Sequence, residues 1–142
     1  MKSIETNVER VIVGKVLPDE DLFDAIIEMV NKHDIKSGLI NVIGALNKFT
    51  IGFFDLKSKE YKFKTFEEDV ELISGMGNIS YKNGAPLIHI HAAIGRDDLS
   101  IIGGHLTQPT IISVTGEVYI YGIGKKLNRI EDTQFGLSLL AI

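Results

Sequence analysis

The sequence has no cysteine among its 142 residues. Without thiols the chain can form neither a disulfide framework nor a thiolate metal site. Any metal would therefore bind to histidine, aspartate or glutamate. Long apolar runs are also missing, since stretches such as residues 109–114 fall far short of the ~20 residues that a membrane helix needs. The first residues lack the apolar stretch of a signal peptide, so we expect a cytoplasmic protein with no membrane segment.

Positive charge is scarce as well. The chain carries 15 Lys and Arg against 19 Asp and Glu, which gives a net charge of −4. It has only three arginines, Arg10, Arg96 and Arg129. Arginine is the residue best suited to bidentate contacts with phosphate or guanine. A domain that binds nucleic acid by itself usually has a basic face. The composition therefore argues against tight, sequence-selective binding of DNA.

The residues that are present favour one globular domain with a single principal helix. Hydrophobic residues make up 44% and charged residues 24% of the chain, as in ordinary globular proteins. Apolar residues from Leu22 to Val30 recur at the spacing of a helix that faces a core. This pattern predicts a helix over 19–33, with Asp19 as its N-cap and Gly38 as its C-terminal cap.

Most of the remaining chain alternates between apolar and polar residues, which predicts strands. The predicted strands are 8–16, 39–45, 49–56, 60–66, 69–81, 86–94, 101–107, 110–113, 117–123 and 137–142. Asn47-Lys48 predicts a short turn, and Asn83-Gly84 is typical of a two-residue hairpin turn. The predicted fold class is α+β, a mainly antiparallel sheet of seven or more strands with the helix packed on it. We assign residues 1–142 to this single domain.

Three histidines form the chemically distinctive pattern of the sequence. His89 and His91 are two positions apart in a predicted strand, so their side chains point to the same face. Residues 95–100 are polar and turn-like, and the flanking strands should pair as a hairpin that carries His105 to the same patch. Three neutral imidazoles leave a fourth metal position open for water or a ligand, as in catalytic zinc sites. The simpler alternative is a polar strand face without metal.

Two carboxylates, Glu71 and Glu117, lie within apolar strand segments. Each is a candidate general base, or a group that orients a histidine. The alternative for both is a solvated or salt-bridged side chain.

Several segments follow one another in a characteristic order and spacing: Asp21-Leu22-Phe23-Asp24-Ala25-Ile26, Ile43-Gly44-Ala45-Leu46, Glu71 to Ile79, Ile88-His89-Ile90-His91-Ala92 and Gly103-Gly104-His105-Leu106. Over about residues 8–121 this order and spacing resemble the PPC (plants and prokaryotes conserved) domain family. A cupin barrel also uses a His-x-His pair for metal. It would, however, place a glutamate where this chain has Gly95 and Arg96.

The PPC resemblance implies a compact sheet-plus-helix domain that assembles as a homotrimer. It also implies that His89, His91 and His105 form a zinc site. In plants, similar domains are fused to AT-hooks in nuclear proteins and mediate association with partners, and prokaryotic relatives are often described as DNA-binding. This chain departs from the plant pattern because it has no Arg-Gly-Arg-Pro core of an AT-hook.

Three functions follow as hypotheses. The first is a homotrimeric binding and assembly module with regulatory use, in which the histidines hold a divalent metal, zinc foremost, that attracts a protein partner or a small anionic ligand. The second is a small zinc-dependent enzyme that uses the same histidines to activate water, with Glu71 or Glu117 as base. The third is a DNA-binding regulator, for which the composition offers no basic surface.

Overall fold

The structure, a computed structural model, describes residues 1–142 and contains one helix and seven strands. The elements are β1 (Val8–Val16), α1 (Leu22–Lys32), β2 (Gly38–Asp55), β3 (Glu60–Lys82), β4 (Ala85–Gly95), β5 (Ile101–Ile123), β6 (Arg129–Asp132) and β7 (Leu137–Leu140). The first five strands form one antiparallel sheet in the order β1-β5-β2-β3-β4, and β4 also pairs with β5. The predicted mainly antiparallel sheet with one helix is confirmed. The count of seven is reached only because β6 and β7 form a second, two-stranded sheet.

Three strands are much longer than the alternation predicted. β2, β3 and β5 each run continuously through two or three segments that were predicted as separate strands. The turn predicted at Asn47-Lys48 is instead a β-bulge, because the register of β2 against both neighbours shifts between Leu46 and Lys48. A bulge bends a strand without reversing it. Polar residues at that point therefore mark a bend in β2, and the prediction of a chain reversal was wrong.

The segment 110–113 lies inside the sheet and is not a strand edge. Thr110 pairs with Phe49 of β2, and Ile111 pairs with Lys48 on that side and with Asp21 on the other. Because both sides of the backbone are engaged, the low charge of this segment reflects burial. Among the five strands of the main sheet, β1 is paired on one side alone.

The helix α1 begins later than its sequence pattern predicted. Its N-cap is Asp21, whose carboxylate accepts the backbone N–H of Phe23 at 2.8 Å; Asp19 has φ 68° and lies outside the helix. The helix ends at Lys32, ahead of Asp34 in a left-handed conformation (φ 49°). Gly38, predicted as the C-terminal cap, is the first residue of β2.

The hydrophobic core lies between α1 and the inward face of the sheet. The helix contributes Leu22, Ile26 and Val30, each 1% exposed or less. In β2, β4 and β5, long stretches alternate between buried inward residues and more exposed outward ones. The fully buried strand residues include Ile40, Val42, Leu72, Ile79, Ile90, Ile94, Leu106, Ile112, Val118 and Ile120. Burial of each such side chain contributes about 1.5–3 kcal/mol, so the fold rests on this face. The helix is neither long nor apolar enough to cross a membrane.

The last residues form a hairpin of β6 and β7 that lies against the main sheet. The backbone N–H of Leu127 donates to Ser37 Oγ at 2.7 Å, and its carbonyl accepts from the N–H of Tyr81 at 2.8 Å. The strand predicted over 137–142 is confirmed over Leu137–Leu140, whereas β6 was not predicted.

Candidate metal site

The predicted histidine hairpin is confirmed. β4 and β5 pair with His91 directly opposite His105 and with Gly95 opposite Ile101. The turn that joins the two strands is closed by the backbone N–H of Arg96, which donates to the Ser100 carbonyl at 3.0 Å. The register of this hairpin places the third histidine beside the first two.

All three histidines lie on the outward face of the sheet, opposite α1. On β4 the inward residues Ile90 and Ile94 are fully buried, while His89 is half-buried and His91 is exposed. The ring centroids are 5.0 Å apart for His89–His91 and for His89–His105, and 5.6 Å apart for His91–His105. One nitrogen of each ring lies within 4.8 Å of the other two. Alternation along paired strands therefore builds a compact three-nitrogen cluster.

An aromatic wall covers one side of the cluster. The ring of Tyr61 lies 4.9 Å from that of His105 and stacks on Phe63 at 5.1 Å. This wall fits because residue 52, opposite both His105 and Phe63, is glycine; a Cβ on Gly52 would lie 2.5 Å from the Phe63 ring. The sequence reasoning missed Tyr61, although its alternation with lysines placed it on the same face as Phe63.

Arg129 covers the other side of the histidine cluster. Its Nη2 contacts Nδ1 of His89 at 3.2 Å and donates to Asn78 Oδ1 at 3.0 Å, and Asn78 is the residue paired with His89 across β3 and β4. Arg129 makes no ion pair with a carboxylate. Sequence reasoning missed this residue because it lies in β6, which was not predicted; its only signal was the scarcity of arginine.

The surroundings keep the imidazoles of His89 and His105 neutral. Burial, followed by the charges of His105, Arg129 and His91, lowers the pKa of His89 from 6.5 to about 4. Burial also lowers the pKa of His105, with His91 and Arg129 acting in the same direction. Because all of these influences disfavour the imidazolium, each of these two rings keeps one unprotonated nitrogen at neutral pH, which metal ligation requires.

One atom of the cluster has no partner. Nδ1 of His105 is buried and makes no hydrogen bond, which is uncommon because buried polar atoms are nearly always satisfied. A divalent cation would satisfy such a nitrogen, and neutral imidazole suits zinc, copper, nickel and iron. The residues present therefore fit a metal held by nitrogen alone.

A family model of the Plants and Prokaryotes Conserved domain, written PCC or PPC, matches residues 3–123. The chain belongs to the PPC family. The resemblance seen in the sequence is thus confirmed. No curated protein matches the chain in sequence.

Solved structures of PPC-like proteins share the whole fold. A metal-containing protein from Archaeoglobus fulgidus is 32% identical, with a TM-score of 0.92 over 100% of both chains. A PPC protein from Pyrococcus horikoshii is 31% identical, with a TM-score of 0.89 over 100% of this chain and 98% of its own. A candidate DNA-binding protein from Bacteroides thetaiotaomicron is 29% identical, with a TM-score of 0.89 over 96% of each chain.

Neither of the two candidate carboxylates of this PPC domain reaches the histidines. Glu71 pairs with Gly95, four residues and about 13 Å along β4 from His91. Glu117 lies at the far end of β5, and both carboxylates are exposed and line a groove of about 510 Å³ away from the cluster. The hypothesis that either one acts as base at the histidine site was therefore wrong, because the strand register separates them from it.

Proposed function

We propose that this PPC domain is a homotrimeric binding module in which His89, His91 and His105 hold one divalent metal, zinc foremost. The observation that carries the proposal is the buried, unpartnered Nδ1 of His105 inside a cluster of three imidazoles. The metal-containing relative from Archaeoglobus fulgidus, similar over its whole length, supports it. The bound metal would supply a strong positive charge with an open coordination position.

The charges around the site favour an anionic ligand or a partner's carboxylate. Three neutral imidazoles would leave the metal's charge uncompensated, and the guanidinium of Arg129 adds another positive charge with no ion-pair partner. A carboxylate would satisfy both the open metal position and this excess of charge. Binding is favoured over catalysis because the carboxylates considered as bases lie elsewhere on the sheet.

Metal analysis of the purified protein and four alanine variants tests the metal site. His89→Ala, His91→Ala and His105→Ala should each lose most of the metal that the wild type takes up above pH 7. The matched control is His33→Ala, since His33 is the remaining histidine and lies at the C-terminal end of α1. Equal metal content in all five proteins, or no uptake by the wild type, would reject the metal site.

Catalysis has its own test. Metal-loaded protein should not accelerate hydrolysis of 4-nitrophenyl acetate beyond the free metal ion. Turnover that disappears in His91→Ala would favour the zinc enzyme instead.

The outward face of the sheet supports assembly. Residues directly opposite one another form a row across β1, β5, β2 and β3, and this row ends at His91 of β4. Its members are Val13, Tyr119, Asn41 and Met76, of which Val13 and Met76 are each 64% exposed. The neighbouring row contains Val11, Tyr121 and Leu39, also exposed. Apolar surface of this extent is typical of an interface, and a second copy of the chain would cover it; the number three rests on the family resemblance.

Light scattering at micromolar concentration tests the assembly. The wild type should have the mass of three chains, and Val13→Asp should lower it. Leu99→Asp is the control, because Leu99 is 90% exposed in the turn between β4 and β5. A monomeric wild type would contradict the trimer.

DNA binding by this chain alone should be weak. The net charge of −4 leaves little to neutralise phosphates. An anisotropy titration with duplex DNA should show a Kd no tighter than roughly 10⁻⁴–10⁻⁶ M at physiological salt. Tight, sequence-selective binding would instead favour the regulator hypothesis.

A further inference from the structure

The guanidinium of Arg129 is tied to the protein at every nitrogen. Nε donates to Ser80 Oγ at 2.8 Å, Nη1 donates to the Ser138 carbonyl at 2.7 Å, and Nη2 bonds to Asn78 Oδ1 at 3.0 Å. The second contact of Nη2, at 3.2 Å, is Nδ1 of His89. The β6–β7 hairpin therefore places a fixed cation directly on one nitrogen of the histidine cluster.

This contact determines which nitrogen of His89 has a proton. A guanidinium can only donate hydrogen bonds, so Nδ1 of His89 must accept with its lone pair. A neutral imidazole has one proton, which must then be on Nε2. The only lone pair that His89 could offer to a metal is thus already used by Arg129.

The arrangement is the reverse of the usual one. A histidine that binds a metal normally donates its second N–H to an oxygen, which fixes the tautomer and makes the ring a better ligand. Here a cation donates to the ring. We infer that Arg129 and a metal ion compete for His89, so that Arg129 holds the cluster in a metal-free form and weakens its affinity for metal.

Both routes by which His89 could bind metal break the contact with Arg129. If the metal binds Nδ1, it replaces Nη2 of Arg129. If the proton moves to Nδ1 so that the metal binds Nε2, two N–H donors face each other and the hydrogen bond is lost. Arg129 is therefore a positioning residue that sets the tautomer of His89 and with it the threshold for metal uptake.

Zinc affinity of Arg129→Gln, measured by competition with a chelating dye at pH 7, tests the competition. Glutamine removes the charge and can accept a hydrogen bond from Nδ1–H, so zinc should bind about tenfold more tightly than to the wild type. Ser80→Ala is the control, because it removes one anchor of the same guanidinium and leaves the Nη2 donor in place. Its affinity should stay within about twofold of the wild type.

A second measurement needs no metal and rests only on the hydrogen bond. Nitrogen-15 NMR of metal-free protein should show His89 with its proton on Nε2, and this preference should fall in Arg129→Gln. A wild-type His89 with its proton on Nδ1 would overturn the inference, as would unchanged or weaker zinc binding in Arg129→Gln, or an equal gain in Ser80→Ala. The inference rests on the proposed metal site, and the zinc titrations distinguish a failure of one from a failure of the other. If neither the wild type nor Arg129→Gln binds zinc, the metal site is rejected. If both bind zinc equally, only the competition between Arg129 and the metal is rejected.

Discussion

The two faces of β4, a strand of eleven residues, have different roles. Ile90, Ala92 and Ile94 point inward and are at most 8% exposed, whereas His89 and His91 point outward towards His105. The inward residues pack against other apolar side chains. The outward ones contact the guanidinium of Arg129, the ring of His105 and one another.

The contrast teaches that stability and site chemistry are separable in this domain. Inward substitutions remove apolar burial, on which the fold depends. Outward substitutions alter a polar cluster that includes a buried, unpartnered nitrogen and so contributes little to folding. The two faces share only the backbone of the sheet.

Truncation of an inward side chain should have the largest effect on stability. Ile90 is fully buried, so Ile90→Ala should lower the free energy of unfolding by about 2–5 kcal/mol through lost burial and a residual cavity. Urea denaturation of the metal-free protein measures this loss. Metal content per folded chain should stay at the wild-type level. A cost below about 1 kcal/mol would show that the inward face is not close-packed.

Acid should destabilise the metal-free protein partly through protonation of His89, which lies on the outward face of β4. The folded pKa of His89 is about 4, below the unfolded value of 6.5, so the stabilisation from keeping this ring neutral is fully present above pH 6.5. It is lost as the pH falls towards 4, because the unfolded chain then binds the proton more readily. His89→Gln should therefore show a shallower decline in stability over this window, as measured by thermal melts. Identical slopes would mean that His89 is not buried as described.

Removal of the third histidine should change stability far less than Ile90→Ala. His105→Ala loses packing against Tyr61 but also removes the unpartnered Nδ1, and these two effects oppose each other. We expect a change within about 1 kcal/mol in urea denaturation without metal. A loss as large as that of Ile90→Ala would break the separation of the two faces.

The smallest effect on stability should come from loss of a salt bridge that belongs neither to the buried core nor to the histidine cluster. Arg96 and Glu68 form a salt bridge at 3.0 Å, with both side chains partly exposed. Glu68→Gln should cost less than about 1 kcal/mol, since solvent screens such pairs. The cost should decrease further in 1 M salt. A larger cost that salt does not reduce would indicate that the pair supports the β4–β5 turn through packing.

The features predictable from sequence were local ones. The helix followed from apolar spacing, and the histidine hairpin followed from alternation on two strands joined by a polar turn. Strand continuity was not predictable in the same way, because the residues at Asn47-Lys48 are polar whether the chain reverses or bulges. What distinguishes the two outcomes is pairing with distant strands.

The rest of the site depends on contacts between distant segments. Arg129 lies 40 residues beyond His89 and reaches it only because the β6–β7 hairpin folds back against β3. The residue belongs to a short strand with little periodicity, so no local pattern could place it. The roles predicted for Glu71 and Glu117 were wrong because, for these two residues, the local pattern was misleading. Their local setting suggested burial beside the site, and the strand register put both in solvent elsewhere.

The pairing of β4 with β5 determines where this domain can tolerate insertions and deletions. Side chains alternate with a period of two, so inserting or deleting one residue between His91 and His105 within the paired segments would turn one histidine inward. The same insertion placed among residues 96–100 would only lengthen a turn and leave the register intact. Length changes are therefore tolerable at the end of this hairpin and damaging a few residues away.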